Sequence, residues 1–154
     1  SRRELSPVEL LDASLARANT NPKKVYCVDH ALVSSVSSGI LVNSGRLLEN
    51  LVFTALRRVH PEVRYYRTKA GHEVDFIVPM EGRTKRLVQV CESLADPRTR
   101  KREVTALRAA MVELRQKTGM IVTRNDDDRI VTDEGTIDVL PAWRFLVALP
   151  ERDE

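Results

Sequence analysis

Apolar and polar positions alternate along this chain at two periods, one typical of helices and one typical of strands. From residue 45 to 59, apolar residues recur three and four positions apart, which predicts an amphipathic helix. Short runs with strand character and intervening turns follow it. The predicted elements, in chain order, are a helix at 45–59, strands at 63–67, 73–78 and 86–91, a helix at 97–117, strands at 120–123, 129–132 and 136–140, and a short helix after Pro141. Asp96 is the predicted N-cap of the helix at 97–117, with Pro97 in its first turn.

The start of the chain carries its own signals. Ser6-Pro7-Val8-Glu9 has the pattern of a capping box with proline at the first helical position, so a helix is predicted at 7–18. Residues 23–29 have strand character, and no element is assigned to the small, serine-rich stretch 31–40. The simplest division is one domain at 23–150, with an extension at 1–22 and a tail at 151–154.

Together these elements predict an α/β fold, a mixed sheet of about five strands flanked by helices. The 154 residues, 42% hydrophobic and 31% charged, suit one soluble globular domain. No apolar run approaches the roughly 18–20 residues of a membrane span, and no signal-peptide pattern opens the chain. Two isolated cysteines favour a reducing compartment, so a cytoplasmic location is expected. The net charge of +3 is a weak indication of nucleic-acid binding, and ordinary surface charge explains it equally well.

Two acidic residues stand where a core would prefer apolar side chains. Glu49 lies at the border of the apolar helix face, and Asp75 lies inside the strand Val74-Asp75-Phe76-Ile77-Val78. A buried carboxylate is costly without a partner, so these two are candidate ligands for a metal ion. Metal-dependent nucleases also need a third acid and a nearby lysine on the next strand, two residues apart. Here those positions hold Gln89, which keeps an oxygen ligand, and Cys91, which cannot replace an ammonium.

Several segments together resemble a known family. They are Lys24-Val25-Tyr26-Cys27-Val28-Asp29, Gly45-Arg46-Leu47-Leu48-Glu49-Asn50-Leu51-Val52-Phe53, Tyr65-Tyr66-Arg67-Thr68-Lys69, Glu73-Val74-Asp75-Phe76-Ile77-Val78 and Gln89-Val90-Cys91. This pattern resembles the C-terminal domain of a family of prokaryotic AAA+-type ATPases, whose fold is similar to PD-(D/E)XK nucleases and restriction endonucleases. The resemblance implies that a P-loop ATPase module precedes residues 1–22 and that ATP binds only there, since no P-loop motif occurs here.

The resemblance also implies roles for individual residues. Family members with a full motif carry Glu-x-Lys where this chain has Gln89-Val90-Cys91. The implied metal ligands for Mg²⁺ or Mn²⁺ are Glu49, Asp75 and Gln89, with Cys91 in the degenerate catalytic position. Lys69 is a candidate substitute base. The candidate DNA-binding residues are Arg67, Lys69, Arg98, Arg100, Lys101 and Arg102.

Two functions remain open at this stage. In one, the domain is a binding or regulatory module of an ATPase with a degenerate nuclease site. In the other, it is an active Mg²⁺-dependent DNA endonuclease. Either way, Glu49, Asp75 and Gln89 are predicted to converge on one cleft, and Cys91 is predicted to be a buried, reduced thiol beside it. No pattern in the sequence indicates an oligomeric state.

Overall fold

The computed structural model describes residues 5–10, 23–27, 44–82 and 84–150, and within them one sheet of eight strands carries three helices. The elements are β1 (Leu5–Leu10), β2 (Lys23–Cys27), α1 (Ser44–Val59), β3 (Arg64–Arg67), β4 (Glu73–Pro79), β5 (Lys85–Val90), α2 (Pro97–Glu113), β6 (Thr118–Thr123), β7 (Asp128–Val131), β8 (Thr136–Pro141) and α3 (Ala142–Ala148).

The sheet is mixed, and its strand order is β2-β1-β3-β4-β5-β6-β8-β7. β3, β4 and β5 form an antiparallel meander, and α2 then carries the chain to β6, which pairs parallel with β5. β8 adds parallel to β6, and β7 closes that end as an antiparallel edge strand. At the other end, β1 pairs parallel with β3 and antiparallel with β2.

The helices cover both faces of the sheet and divide the core in two. α1 and α3 pack on one face, where Val52, Phe53 and Phe145 are almost fully buried. α2 packs on the opposite face through Leu107 and Met111. Apolar residues at helical spacing form a stripe on α1 and another on α2, so each of these two helices buries one side against the strands. In the parts of the chain that the structure describes, no helix is both long and apolar enough to cross a membrane.

The predicted fold class, a mixed α/β sheet flanked by helices, is confirmed. The sheet has more than the predicted five or so strands, because β1 and β2 extend one end and β7 the other. The predicted N-cap of α2 is also present, since the Asp96 carboxylate accepts a hydrogen bond from the Thr99 N–H at 2.8 Å. α2 ends earlier than predicted, at Glu113.

The predicted helix at 7–18 is wrong over its first residues. Leu5–Leu10 form strand β1, in register with β2 and with the start of β3. A capping box is a local preference of about 1 kcal/mol, and backbone pairing with two neighbouring strands outweighs it. The remainder of that prediction, and the unassigned stretch 31–40, lie outside the described residues. That residues 1–22 lead from a preceding module stays a prediction, which this pairing does not test.

Candidate functional site

A bulge in β4 determines where Asp75 points. Arg64 of β3 pairs with Ile77, but Tyr66, two residues further along β3, pairs with Val74, three residues back along β4. One extra residue is therefore accommodated in β4 between these pairs. Val74 packs on the α2 face while Phe76 packs on the α1 face, which regular alternation would not allow. Asp75 lies at this irregularity, and its carboxylate joins groups on the α1 side.

Strands β4 and β5 separate beside the bulge, and side chains replace the missing ladder bonds. The ladder between them runs from the Pro79 end of β4 to Phe76, which pairs with Val88. Beyond that pair, the Asp75 Oδ2 atom accepts a hydrogen bond from the Val90 N–H at 2.9 Å. The Gln89 side chain in turn accepts from the Asp75 N–H at 3.1 Å. The carboxylate is therefore fixed by backbone on the neighbouring strand.

Three carboxylates surround the ammonium group of Lys24, which comes from β2. The Lys24 Nζ atom lies 2.6 Å from Glu73 Oε1, 3.3 Å from Asp75 Oδ1 and 3.7 Å from Glu49 Oε1. The side chains are only partly exposed, from 13% for Asp75 to 33% for Glu73. We call Lys24, Glu49, Glu73 and Asp75 the Lys24 cluster. It joins residues 51 positions apart in the chain.

Tyr26, two residues after Lys24, holds the helix side of the cluster. Its hydroxyl donates a 2.6 Å hydrogen bond to Glu49 Oε1. Its ring stacks on Phe53 with centroids 4.5 Å apart and contacts Phe76 at 5.4 Å. Burial and the nearby Glu49 carboxylate raise the pKa of Tyr26, so the phenol stays protonated and can only donate to that carboxylate. One face of β2 thus supplies both the cation, Lys24, and a fixed hydrogen-bond donor, Tyr26.

Burial and neighbouring charges both shift the pKa values of the residues in the Lys24 cluster. Burial and the adjacent Glu49 carboxylate raise the pKa of Asp75 to about 7, against the opposing pull of Lys24 and the Val90 N–H. Burial also disfavours the charged forms of Lys24 and Glu73. The charge of Asp75, followed by Glu73 and Glu49, outweighs burial at Lys24 and raises its pKa. The contacts with Lys24 and then with Arg67 lower the pKa of Glu73. A persistent ion pair between Lys24 and Glu73 with a proton-accepting Asp75 beside it follows from these shifts.

Gln89 does not turn toward Lys24. Its Nε2 atom donates to the Glu73 carbonyl at 3.3 Å and to the Glu103 Oε2 atom of α2 at 2.5 Å. Glu103 is itself only 4% exposed and pairs with Arg102 at 2.6 Å. Val88 and Val90 pack on the α1 side, so Gln89 lies on the opposite face of β5. The structure therefore brings Glu49 and Asp75 together but directs the Gln89 side chain to α2.

Cys91 is 8% exposed, so its predicted burial is confirmed, and its predicted reduced state stays a prediction. It packs with the α2-side core and donates weakly to the Ser93 carbonyl at 3.9 Å. Burial, followed by the Glu103, Asp126 and Asp75 carboxylates, raises its pKa to about 12. A thiol in these surroundings brings no charge to the site at neutral pH.

The Lys24 cluster does not fit a divalent metal ion as it stands. An ammonium group already lies among the carboxylates, and the Gln89 oxygen already accepts the Asp75 N–H. Within the described residues, no group of three or more His, Cys, Asp or Glu side chains is arranged to hold a metal. The predicted metal role of Glu49, Asp75 and Gln89 stays a prediction.

The other predicted site residues lie away from the Lys24 cluster or are paired. Lys69 is exposed in the turn between β3 and β4, where its backbone N–H donates to Glu113 of α2 at 3.0 Å. Arg67 pairs with Glu73 at 3.2 Å and thereby borders the cluster. At the start of α2, Arg100 pairs with Asp128, Arg102 pairs with Glu103, and Arg98 and Lys101 are exposed.

Sequence reasoning missed Lys24, Tyr26 and Glu73 as members of the site. Lys24 lies in a short strand that begins with two adjacent lysines, a pattern usual for an exposed edge. One signal was present: Glu73 and Asp75 stand two apart on one strand, so two acids concentrate at its start. Two acids this close together require a nearby cation, but their spacing does not indicate which residue supplies it.

Fold and site together define a mixed α/β domain in which three partly buried carboxylates surround a lysine from the first strand pair. The chain belongs to the family described as Domain of unknown function (DUF4143), whose model matches residues 44–145. An uncharacterized protein of Methanocaldococcus jannaschii, MJ1544, is 35% identical over 131 residues. That match covers 79% of this chain but only 29% of the relative, so the chain spans less than a third of its length. No solved structure matches.

Proposed function

We propose that this domain is a nuclease-like module of an AAA+-type ATPase that binds or regulates and does not cleave DNA. The element order supports the likeness to nucleases. Helix α1, the β3-β4-β5 meander, α2 and parallel β6 follow one another as expected for a metal-dependent nuclease core. Glu49 on the helix and Asp75 on the second strand occupy the positions expected for its acids, and they meet at one lysine.

The placement of Gln89 is the main support for a degenerate nuclease site. Its oxygen accepts the Asp75 N–H, and its nitrogen donates to the Glu73 carbonyl and to buried Glu103. Its amide therefore links β4 to α2. Magnesium in such sites relies on anionic oxygen ligands, and a neutral amide engaged elsewhere is a poor substitute. Cys91 is uncharged as well. The segment formed by β5 and Cys91, which should complete the metal site, therefore contributes neither an anionic ligand nor a cation.

The proposed partners are a preceding ATPase module and DNA. The length of the relative supports the first, since more than two thirds of that protein lies beyond the matched region. ATP would bind in that module. Exposed Arg98 and Lys101 at the start of α2 support the second, because unpaired basic groups neutralise phosphates at little cost. Arg67, Arg100 and Arg102 would first have to leave their carboxylate partners.

The second candidate is an active Mg²⁺-dependent endonuclease, and one observation favours it. The Lys24 ammonium brings to Glu49 and Asp75 a positive charge that Cys91 cannot supply. A positive charge near the reacting phosphate is what such chemistry requires. In this alternative, Glu49 and Asp75 would bind the metal, and Lys24 would first have to move from its present position between them.

A supercoiled-plasmid assay with Mg²⁺ and with Mn²⁺ distinguishes the two candidate functions. We expect native protein and Asp75→Ala to leave the plasmid equally intact, because loss of a charge-stabilising group typically lowers rates by about 10²–10³. Nicking by the native protein that Asp75→Ala abolishes would establish the endonuclease and end the degenerate interpretation. A gel-shift titration of Arg98→Ala/Lys101→Ala against native protein tests DNA binding, and equal affinities would exclude a role for this surface.

A further inference from the structure

The Lys24 ammonium lies at the point where three carboxylates come closest together. Glu73, Asp75 and Glu49 are 2.6, 3.3 and 3.7 Å from Nζ, and they come from two different elements, α1 and β4. The lysine arrives from a third, β2. An ammonium has three hydrogen-bond donors, which suits three surrounding acceptors. The arrangement is a cation held by carboxylates on several sides.

This position is shielded enough for the charges to matter. The Lys24 side chain is 25% exposed and the Asp75 side chain 13%. The Tyr65 ring lies beneath the ammonium, with its centroid 5.5 Å from Nζ. Tyr26 donates to Glu49 and prevents that carboxylate from turning freely into solvent. Ion pairs with this degree of burial are screened far less by salt than surface pairs.

A divalent cation and this ammonium exclude each other. Mg²⁺ and Ca²⁺ bind carboxylate oxygens at about 2.0–2.6 Å, so a metal shared by these acids would lie close to the present Nζ atom. The two cations would also repel each other strongly at such a distance. Binding a metal therefore requires Lys24 to leave or to lose its charge and the three carboxylates to rearrange around the ion. Tyr26 keeps Glu49 nearby, and the Val90 N–H keeps Asp75 nearby.

We propose that Lys24 is the resident counter-ion of this cluster and takes the place of a divalent cation, so that Mn²⁺ binds tightly only when the lysine charge is removed. The inference rests on the proposed function in one respect, that the native site works without a divalent metal. It assigns Lys24, and not a metal ion, as the cation that Glu49, Glu73 and Asp75 share in the native domain.

This proposal is tested by measuring Mn²⁺ binding to the whole chain, both by calorimetry and by electron paramagnetic resonance of the free Mn²⁺. We expect Lys24→Met to bind Mn²⁺ at least about tenfold more tightly than the native protein, because a unit charge within about 4 Å is removed. Lys117→Met is the matched control, since Lys117 is exposed and has no role in the candidate site, and it should bind like the native protein. Adding Asp75→Asn to Lys24→Met should abolish the gain.

Removing the lysine also threatens folding, so a second readout is needed. The melting temperature of Lys24→Met, and of Lys24→Gln, which keeps a hydrogen-bond donor, should rise with Mn²⁺ while that of the native protein does not. A variant unfolded in metal-free buffer should fold when Mn²⁺ is added. Equal Mn²⁺ affinity in native and variant proteins, or variants that Mn²⁺ neither binds nor refolds, would overturn the inference.

The plasmid assay, run in parallel, keeps the two conclusions apart. Nicking by the native protein with Mn²⁺ would end the proposed non-catalytic function whatever the binding data show. An intact plasmid combined with unchanged Mn²⁺ affinity in Lys24→Met would leave that function standing and refute the counter-ion role of Lys24.

Discussion

The stability of this domain should depend on the protonation of Asp75 in a direction opposite to that of most surface acids. In the folded protein, burial first and the Glu49 carboxylate second raise the pKa of Asp75 from 3.8 to about 7. The folded chain therefore keeps this proton over a range of pH in which the unfolded chain has released it. The stabilisation is fully present below about pH 4 and is lost as the pH rises through about 7.

The size of the effect follows from the shift. Each pKa unit corresponds to about 1.4 kcal/mol, so a shift of roughly three units corresponds to about 4 kcal/mol at most. Some solvent reaches the side chain, which is 13% exposed, and Lys24 and Glu49 respond to its charge. We therefore expect about 2–4 kcal/mol, a large part of the 5–15 kcal/mol typical of a domain.

Asp75→Asn isolates this contribution, because asparagine resembles the protonated acid and does not titrate. The measurement is the free energy of unfolding of both proteins in urea, by circular dichroism, between pH 4 and pH 8. Relative to the variant, the native protein should lose about 2–4 kcal/mol of stability over that range. Asp133→Asn, at an exposed acid outside the Lys24 cluster, is the control and should show a nearly constant difference. A constant difference for Asp75→Asn too, or one that grows with pH, would refute the reasoning.

Three further predictions concern the groups around the cluster. Tyr26→Phe removes the 2.6 Å hydrogen bond to Glu49, and urea denaturation should show a loss of about 1–2 kcal/mol; an unchanged midpoint would contradict a positioning role. Gln89→Leu removes the hydrogen bonds that Gln89 makes with the Asp75 N–H, the Glu73 carbonyl and the Glu103 carboxylate. The free energy of unfolding should fall by about 2–4 kcal/mol, and a loss below about 0.5 kcal/mol would match an ordinary surface change instead. In a Cys27→Ser background, Cys91 should react with a thiol reagent at pH 8 at least about 10²-fold more slowly than in the urea-unfolded chain, because burial raises its pKa to about 12; equal rates would show an open thiol.

Elements whose partners lie nearby in the chain were predictable. The helix expected at 45–59 is found at Ser44–Val59, because the apolar stripe that defines it is a local period. The N-cap at Asp96 was identified because the Asp-Pro pair acts on the turn that follows it. The carboxylates were flagged for a similar reason, since an acid within an apolar pattern is visible without any knowledge of the fold.

What could not be predicted depends on pairing between distant segments. Leu5–Leu10 carries a helix-start pattern, yet it forms a strand because β2 and β3 offer it backbone partners on both sides. Lys24 meets Asp75 across 51 residues, and no property of a two-lysine strand indicates which acids it will reach. The bulge that turns Asp75 toward the lysine is equally invisible, since it arises from a register difference between β3 and β4.

The two departures from the nuclease-like pattern make physical sense together. A glutamate at position 89 could accept the Asp75 N–H, but it could not donate to the Glu73 carbonyl, and its carboxylate would face Glu103 at about the present 2.5 Å. An amide is the group that accepts on one side and donates on the other. Similarly, a lysine at position 91 would place an ammonium in the α2-side core, where Cys91 now packs. The positive charge beside Glu49, Glu73 and Asp75 comes from β2 instead, through Lys24. A lysine thus lies where the proposed nuclease-like site would need its metal, which is the physical reason to test for a bound partner or a regulatory role before a phosphodiesterase activity.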